Sequence, residues 1–279
     1  MSIQSVAEKA GVSVATVSRV FNFPDKVTPA TREHVERIAG ELGYLPNSSA
    51  RTLRTQRSRV FGVVLPTLLN PVFAECLQGI AQAAVAGGYA IIPVTTGYQL
   101  DEEQRAVNLL LAGNVDGLIL VVSNPATSAA LERLRGAGLP YVLVYNRHPE
   151  HPCISVDSES AVAGAVARLV ELGHRRIAMV SGTLAASDRA QQRWRGFLQG
   201  MAAAGLEPPA LVEVPFIETA VDELARLLLG APPRPTAPGC SHGLLAIRSI
   251  RAAHLSGLQV PRDLSVIGFD GIALGEDLT

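Results

Sequence analysis

The chain has 279 residues, 48% of them hydrophobic and 18% charged, with a formal net charge of −1. That length exceeds one ordinary small domain, and the composition excludes a disordered or low-complexity chain. The charge is unevenly placed: residues 1–59 hold nine Lys/Arg against five Asp/Glu, and the remainder 15 against 20, so a basic head precedes an acidic body. No apolar run approaches a bilayer span, and the opening residues Met1 to Lys9 are polar, so the reading is a cytoplasmic chain with no membrane partner. Cys76, Cys153 and Cys240 are far apart and lack metal-ligand spacing. They are expected to be buried apolar thiols, with no disulfide, no metal and no cofactor.

The first elements in chain order are three short helices. Val6 and Ala10 share one face of the first, Gly11 ends it, and Ser13 stands as N-cap of the second. In the second helix Val17, Val20 and Phe21 form the apolar face, while Val14, Ala15, Ser18, Arg19 and Asn22 point outward. Thr28-Pro29 caps and starts a third helix, whose stripe of Val35, Ile38, Ala39 and Leu42 ends at Gly43. Small residues, hydroxyls and one arginine on the outward face suit a major groove, where phosphates and base edges are both in reach. A purely structural helical hairpin is the competing account. Asn47 to Thr55 spells about two helical turns, too short to be stable without a partner.

From Val60 onward the pattern becomes βαβα. The expected strands are Val60 to Leu65, Tyr89 to Thr95, Gly117 to Val122, Tyr141 to Tyr145, Arg176 to Val180, Leu211 to Val214, Thr236 to Ser241 and Leu264 to Phe269. Helices are expected at Pro71 to Ala86, Glu102 to Ala112, Ser128 to Ala137, Glu159 to Leu172, Ala190 to Ala204, Thr219 to Leu229 and Leu244 to Leu255. Near-continuous apolar strands imply parallel sheets covered on both faces. A turn-rich insert at His148-Pro149-Glu150-His151-Pro152 and a restart near residue 157 divide the body into two Rossmann-like lobes with a cleft between them. Ligands of such sheets sit beyond the carboxyl ends of strands. Asn70, Phe73, Ser123, Asn146, Arg193, His242 and Asp270 stand there, a set able to grip a polyol or another small polar molecule.

Residues 5–22 (SVAEKAGVSVATVSRVFN), Thr28-Pro29-Ala30-Thr31-Arg32 and Leu42-Gly43-Tyr44-Leu45-Pro46-Asn47 resemble the headpiece of the LacI/GalR (lac-repressor-like) transcription regulators. Asn114-Val115-Asp116-Gly117, Glu171-Leu172-Gly173-His174-Arg175-Arg176-Ile177-Ala178 and Val266-Ile267-Gly268-Phe269-Asp270 extend the resemblance over the body, which is similar to periplasmic sugar-binding proteins. The resemblance implies an all-α helix-turn-helix headpiece at 1–46, a hinge helix or linker at 47–59, and a two-lobed effector-binding and dimerisation domain at 60–279, with lobes of about 60–156 and 157–279. It implies a homodimer that reads a pseudopalindromic operator and answers to a sugar or sugar derivative. Carried over, Val14, Ala15 and Arg19 meet base edges, and Thr16, Ser18, Asn22 and Thr28 hold phosphates. Ser13, Tyr44, Asn47 and Ala50 complete the DNA-facing set, and Leu53 is the wedge that kinks the minor groove.

The chain departs from the family pattern at three places. His242-Gly243 replaces the usual Asn-Asp, and Asn146 replaces the usual acid ahead of Arg147, so a pocket with fewer acids suits an anionic sugar derivative. The sequence stops at Asp277-Leu278-Thr279, ahead of the family's final crossover, which is expected to be missing. No Gly-x-Ser-x-Gly, Walker-type or His-Glu-x-x-His motif is present, which argues against an enzyme. The functional expectation is a repressor; the alternatives are a solute-binding protein without DNA binding and a non-functional truncated regulator.

Overall fold

The computed structural model describes residues 1–45, 57–207, 211–216, 221–230 and 232–278. Contacts divide the chain into two units, residues 1–58 and 59–279.

The first unit is a three-helix cluster: α1 (Ile3–Ala10), α2 (Val14–Asn22) and α3 (Pro29–Glu41). Each helix starts on a hydroxyl cap, in which Ser2, Ser13 and Thr28 accept the backbone N–H of Ser5, Thr16 and Thr31. Such caps stabilise a helix end by about 1 kcal/mol each. Between α1 and α2 the chain reverses through Gly11, whose φ of 65° is a left-handed conformation that costs glycine little. Val6, Val17, Val20, Val35 and Ile38 fill the small core, with Phe21, Leu42 and Tyr44 at its edge.

The second unit contains two parallel sheets. The first has the order β2-β1-β3-β4-β5, built from β1 (Val60–Leu65), β2 (Ala90–Thr95), β3 (Gly117–Leu120), β4 (Tyr141–Val144) and β5 (Cys153–Ile154). Parallel neighbours need crossovers, which are α4 (Pro71–Ala86), α5 (Leu100–Ala112) and α6 (Ala129–Ala137). The second sheet, β7-β6-β8, is built from β6 (Ile177–Gly182), β7 (Val212–Val214) and β8 (Ala237–Cys240). Around it lie α7 (Ser158–Glu171), α8 (Asp188–Ala203), α9 (Val221–Leu229) and α10 (Gly243–Leu255). Each sheet has its own apolar cores. Val107, Leu118, Leu120, Leu134 and Leu143 are central to the first, and Val180, Leu224, Leu245, Met179 and Phe197 to the second.

Three expectations need correction. Leu264 to Phe269 is not a full strand: it touches β8 through a single bridge, Gly239 to Ile267, although Ser265 and Ile267 donate to Thr236 and Pro238 and Ile267 accepts from Cys240. Coverage on both faces fails at β2, an edge strand that is exposed at four of its six residues and includes Pro93. Proline is tolerated there because an edge leaves alternate N–H groups unpaired. Of the three cysteines, all free, only Cys240 is buried, while Cys76 and Cys153 are half-exposed. The two-residue β5 was not expected; it is too short to show a period. Among the described residues no helix is long and apolar enough to cross a membrane.

Helices α7 and α8 pack closely because Gly196 has no side chain. A Cβ there would lie 2.2 Å from the carbonyl oxygen of Glu159 and 2.8 Å from its Cα. Since the obstructing atoms are backbone, Gly196→Ala is expected to destabilise the body by about 1–3 kcal/mol despite alanine's better helix propensity. Urea unfolding that shows the variant equal to or above the native chain would contradict this packing.

Candidate functional site

In the first unit, the outward face of α2 is set by the apolar period. Val17 and Val20 are buried, so Val14, Ala15 and Arg19 are exposed on the opposite side, with Thr16, Ser18 and Asn22 half-buried at the margins. Asn22 donates through Nδ2 to the Ser18 carbonyl at 2.6 Å, and the Ser13 and Thr16 hydroxyls lie 2.9 Å apart. Exposed Thr28 shares a 2.9 Å hydroxyl contact with Thr31, and half-buried Tyr44 packs on Phe21 with ring centroids 5.8 Å apart. Most nearby cations are paired with acids: Lys9 and Arg37 share Glu41, and Arg32 pairs with Glu36. The Arg19 side chain makes no ion pair or hydrogen bond among the described residues, so its charge is available to an external anion. Asn47, Ala50 and Leu53 lie outside the described residues.

In the second unit, the two sheets meet through a buried polar seam at the carboxyl ends of β3 and β4. The Asn146 side chain, fully buried, accepts the Val122 N–H at 2.9 Å and donates to the Val122 carbonyl at 2.8 Å and to Asp188 at 2.7 Å. Arg189 donates to the same Val122 carbonyl at 2.9 Å and to Asp188 at 3.0 Å, while the Asp188 N–H donates to the Ser123 carbonyl at 2.7 Å. Ser123 in turn donates its N–H and hydroxyl to buried Glu103, at 2.7 and 2.6 Å. Burial raises the pKa values of Asp188 and Glu103, opposed by Arg189 at Asp188 and chiefly by the Ser123 hydrogen bonds at Glu103. Ser123 and Asn146 are therefore committed to the seam and do not line the cavity beside it.

The other five expected residues, Asn70, Phe73, Arg193, His242 and Asp270, do line that cavity. The structure adds Tyr98, Tyr145, Arg189, Phe216 and Ser241. Tyr98 follows β2 and Phe216 follows β7; the strand-end rule finds both once it is applied to those two strands. Their rings stack across the lobes with centroids 4.2 Å apart, and Phe216 can reach this position because a Cβ on Gly182 would be 2.2 Å from its ring. Tyr98, Tyr145 and Asp270 have φ of 63°, 65° and 87°, strained values for side-chain-bearing residues that cost about 1–3 kcal/mol each. Backbone strain concentrated around one cavity marks a constrained site. About 30 Å³ of the cavity is open to water-sized guests, room for water and too little for a sugar without a rearrangement of its walls.

Among the described residues Arg193 is, with Arg189, one of two largely buried cations that line the cavity. It donates to the Ser241 carbonyl and, at 3.3 Å, to Asp270, and it lies 3.9 Å from the centre of the Phe269 ring. Burial lowers the Arg193 pKa and raises that of Asp270, each opposed by the partner's charge. His242 is buried beside Phe216, and neither ring nitrogen has a hydrogen-bond partner among the described residues. Burial, with Arg193 and Arg248 adding to it, presses its pKa from 6.5 to about 3.

Residues 2–47 match the family of bacterial regulatory proteins, lacI family, and residues 58–276 match the periplasmic binding proteins and sugar binding domain of LacI family. The chain belongs to the LacI family of bacterial regulatory proteins. It is 34% identical over 278 residues to the HTH-type transcriptional repressor CytR of Escherichia coli (strain K12), covering 98% of this chain and 81% of that protein. The crystal structure of the lac repressor dimer bound to operator and the anti-inducer ONPF superposes with a TM-score of 0.85 at 28% identity, covering 98% of this chain and 83% of that one. The complex of the transcriptional regulator CelR with cellobiose gives a TM-score of 0.64 at 29% identity, covering 96% and 82%. These relatives are transcription regulators, the class that the head and body together define.

Two outcomes test the site's energetics. Asp188→Ala strands the Asn146 amide and the Arg189 guanidinium in the seam, and is expected to cost about 3–5 kcal/mol in thermal or denaturant unfolding; a loss near zero would show that the seam hydrates freely. His242 has a folded-state pKa below its unfolded value, so its contribution is fully present above about 6.5 and is lost as pH falls toward 3. Between pH 7 and 4.5 the native chain should lose about 2–3 kcal/mol more stability than His242→Gln. Parallel pH profiles for the two proteins would refute this account of His242.

Proposed function

We propose that the chain is a repressor that binds a pseudopalindromic operator as a homodimer and is controlled by a small polar effector, a sugar or sugar derivative, held between its two lobes. The observation that carries the DNA reading is the exposed α2 face, on which the Arg19 side chain is uncommitted, while on the neighbouring helices Arg32 pairs with Glu36 and Lys9 and Arg37 share Glu41. On this reading Val14, Ala15 and Arg19 meet base edges, and Thr16, Ser18, Asn22 and Thr28 hold phosphates, assisted by Ser13 and Tyr44. Asn47, Ala50 and Leu53 act in the minor groove, with Leu53 as the wedge.

Dimerisation is supported by the lac repressor dimer on its operator and by exposed apolar side chains on the edge strand β2 and the two helices that flank it in sequence: Val85 on α4, Ile92 on β2, and Leu100 and Leu109 on α5. The effector reading is supported by the strained cavity and by the cellobiose complex of CelR. An effector that forces the Tyr98–Phe216 stack apart changes the angle between lobes, and any difference in affinity between the two arrangements is returned as a change in operator binding.

Arg19→Ala is expected to weaken binding to a selected two-half-site operator by about 1–3 kcal/mol, and binding to random DNA much less. Fluorescence anisotropy on both duplexes checks this. Equal losses on the two would assign Arg19 to phosphate alone, and no loss on either would remove α2 from the interface.

A further inference from the structure

We propose that the effector is an anion, a sugar acid or sugar phosphate, whose acid group is held by Arg193, Ser241 and His242 in the cavity between the lobes. The proposal rests on the reading of that cavity as the effector site, and it concerns the chemistry that the site selects. Its first support is a group of buried polar atoms. Arg193 Nε, Ser241 Oγ and both ring nitrogens of His242 have no hydrogen-bond partner among the described residues, and all three residues line the same cavity. An unpartnered buried donor is costly, so these atoms call for a guest that accepts. The arginine Nε–H can only donate, and the serine hydroxyl and one imidazole nitrogen are able to. A carboxylate or phosphate offers acceptor lone pairs to all of them at once. A sugar hydroxyl brings a donor of its own, for which the acceptors here are the second imidazole nitrogen, the serine oxygen and the Asp270 carboxylate, the last already paired with Arg193.

The second support is the balance of charge. Among the described residues, the groups facing this corner are Arg189 and Arg193 from α8, Arg248 from α10, Asp270 from the loop after Phe269, and Tyr98 from the loop after β2. The only carboxylate among them, Asp270, is paired with Arg193, and the nearby Asp188 is paired with Arg189. His242 therefore experiences two guanidinium charges, from Arg193 and Arg248. That field is hostile to an imidazolium and attractive to an anion. A bound acid group reverses it, so His242 can take up a proton from solvent as the ligand enters and become a charged donor to it. The Phe73, Tyr98 and Phe216 rings supply apolar faces for the ligand's carbon skeleton.

The test is calorimetry on the full chain with matched probes: D-gluconate against D-glucitol, and D-ribose 5-phosphate against D-ribose. At least one acid is expected to bind tenfold or more tightly than its neutral counterpart. Gluconate affinity should tighten as pH is lowered from 8 to 5.5, with proton uptake seen in buffers of different ionisation enthalpy. Ser241→Ala and His242→Leu, shown folded by circular dichroism, should each lose tenfold or more on the acids, and His242→Leu should lose the pH dependence. Neutral probes binding as tightly as the acids, neither acid binding, or acid binding unaltered in His242→Leu would each overturn the proposal. Operator binding measured on the same protein separates the two readings. If operator is bound and a neutral probe alone changes that binding, the regulator stands and the anion falls. If operator is not bound, the regulator reading falls, and the acid-against-neutral comparison still decides the anion.

Discussion

The geometry of the body depends on one junction: the Asn146 amide, the Asp188–Arg189 pair and the Val122 carbonyl that two of them share. Each sheet buries its own apolar core, and no core cluster spans the two. Beside the Tyr98–Phe216 ring stack, what joins the sheets is polar and buried, a combination that is stable only when every group is matched. Here Val122 gives its N–H and its carbonyl to the same asparagine, and Asp188 accepts from Asn146, Arg189 and Gln192. A seam of this kind is directional: it holds one relative arrangement of the lobes, where apolar contact would tolerate slippage. A two-state regulator needs such a junction, because a few discrete hydrogen bonds can be exchanged for another matched set at small net cost.

The head is organised by a different economy. Among the described residues eight buried apolar side chains make its core, which is little for a folding unit, and hydroxyl caps at the three described α-helix starts supplement it. Serine and threonine do double service in this arrangement. Ser13 and Thr28 cap the starts of their helices, and on the proposed reading their helix N-termini also present N–H groups to an incoming phosphate.

Much of this was legible in the sequence, and what was not has identifiable causes. The helix stripes of the head and the strand Val60 to Leu65 follow from apolar period and length, Ala90 to Thr95 follows from an apolar run expected to start one residue earlier at Tyr89, and the helix at Pro71–Ala86 begins and ends where its sequence signals stand. Five of the seven expected cavity residues meet because the strand-end rule is a property of parallel sheets. Asn146 and Ser123 obey the same rule yet face the seam; a side chain's choice between cavity and partner lobe is set by tertiary contacts that no local pattern records. Phe216 stands after a three-residue strand too short to display a period, and Tyr98 follows an edge strand whose alternation is weak. The strain at Tyr98 and Tyr145 was invisible for another reason: glycine or asparagine would have announced a left-handed turn, and tyrosine does not.

Pro93 has a consequence for how copies of this chain can meet. In β2 the even-numbered residues donate toward β1, as Ala90 does to Arg59 and Thr96 to Leu65, so the odd-numbered residues turn their nitrogens to the free edge. There Ile91, Pro93 and Thr95 follow one another, and proline removes the middle donor. A foreign strand laid along this edge would find its ladder interrupted at the centre. Ribbon-like stacking of sheet on sheet is thereby discouraged at the edge strand that carries the exposed Ile92. Association at this surface is left to side-chain packing, which closes on a pair, where an open strand edge would propagate without limit.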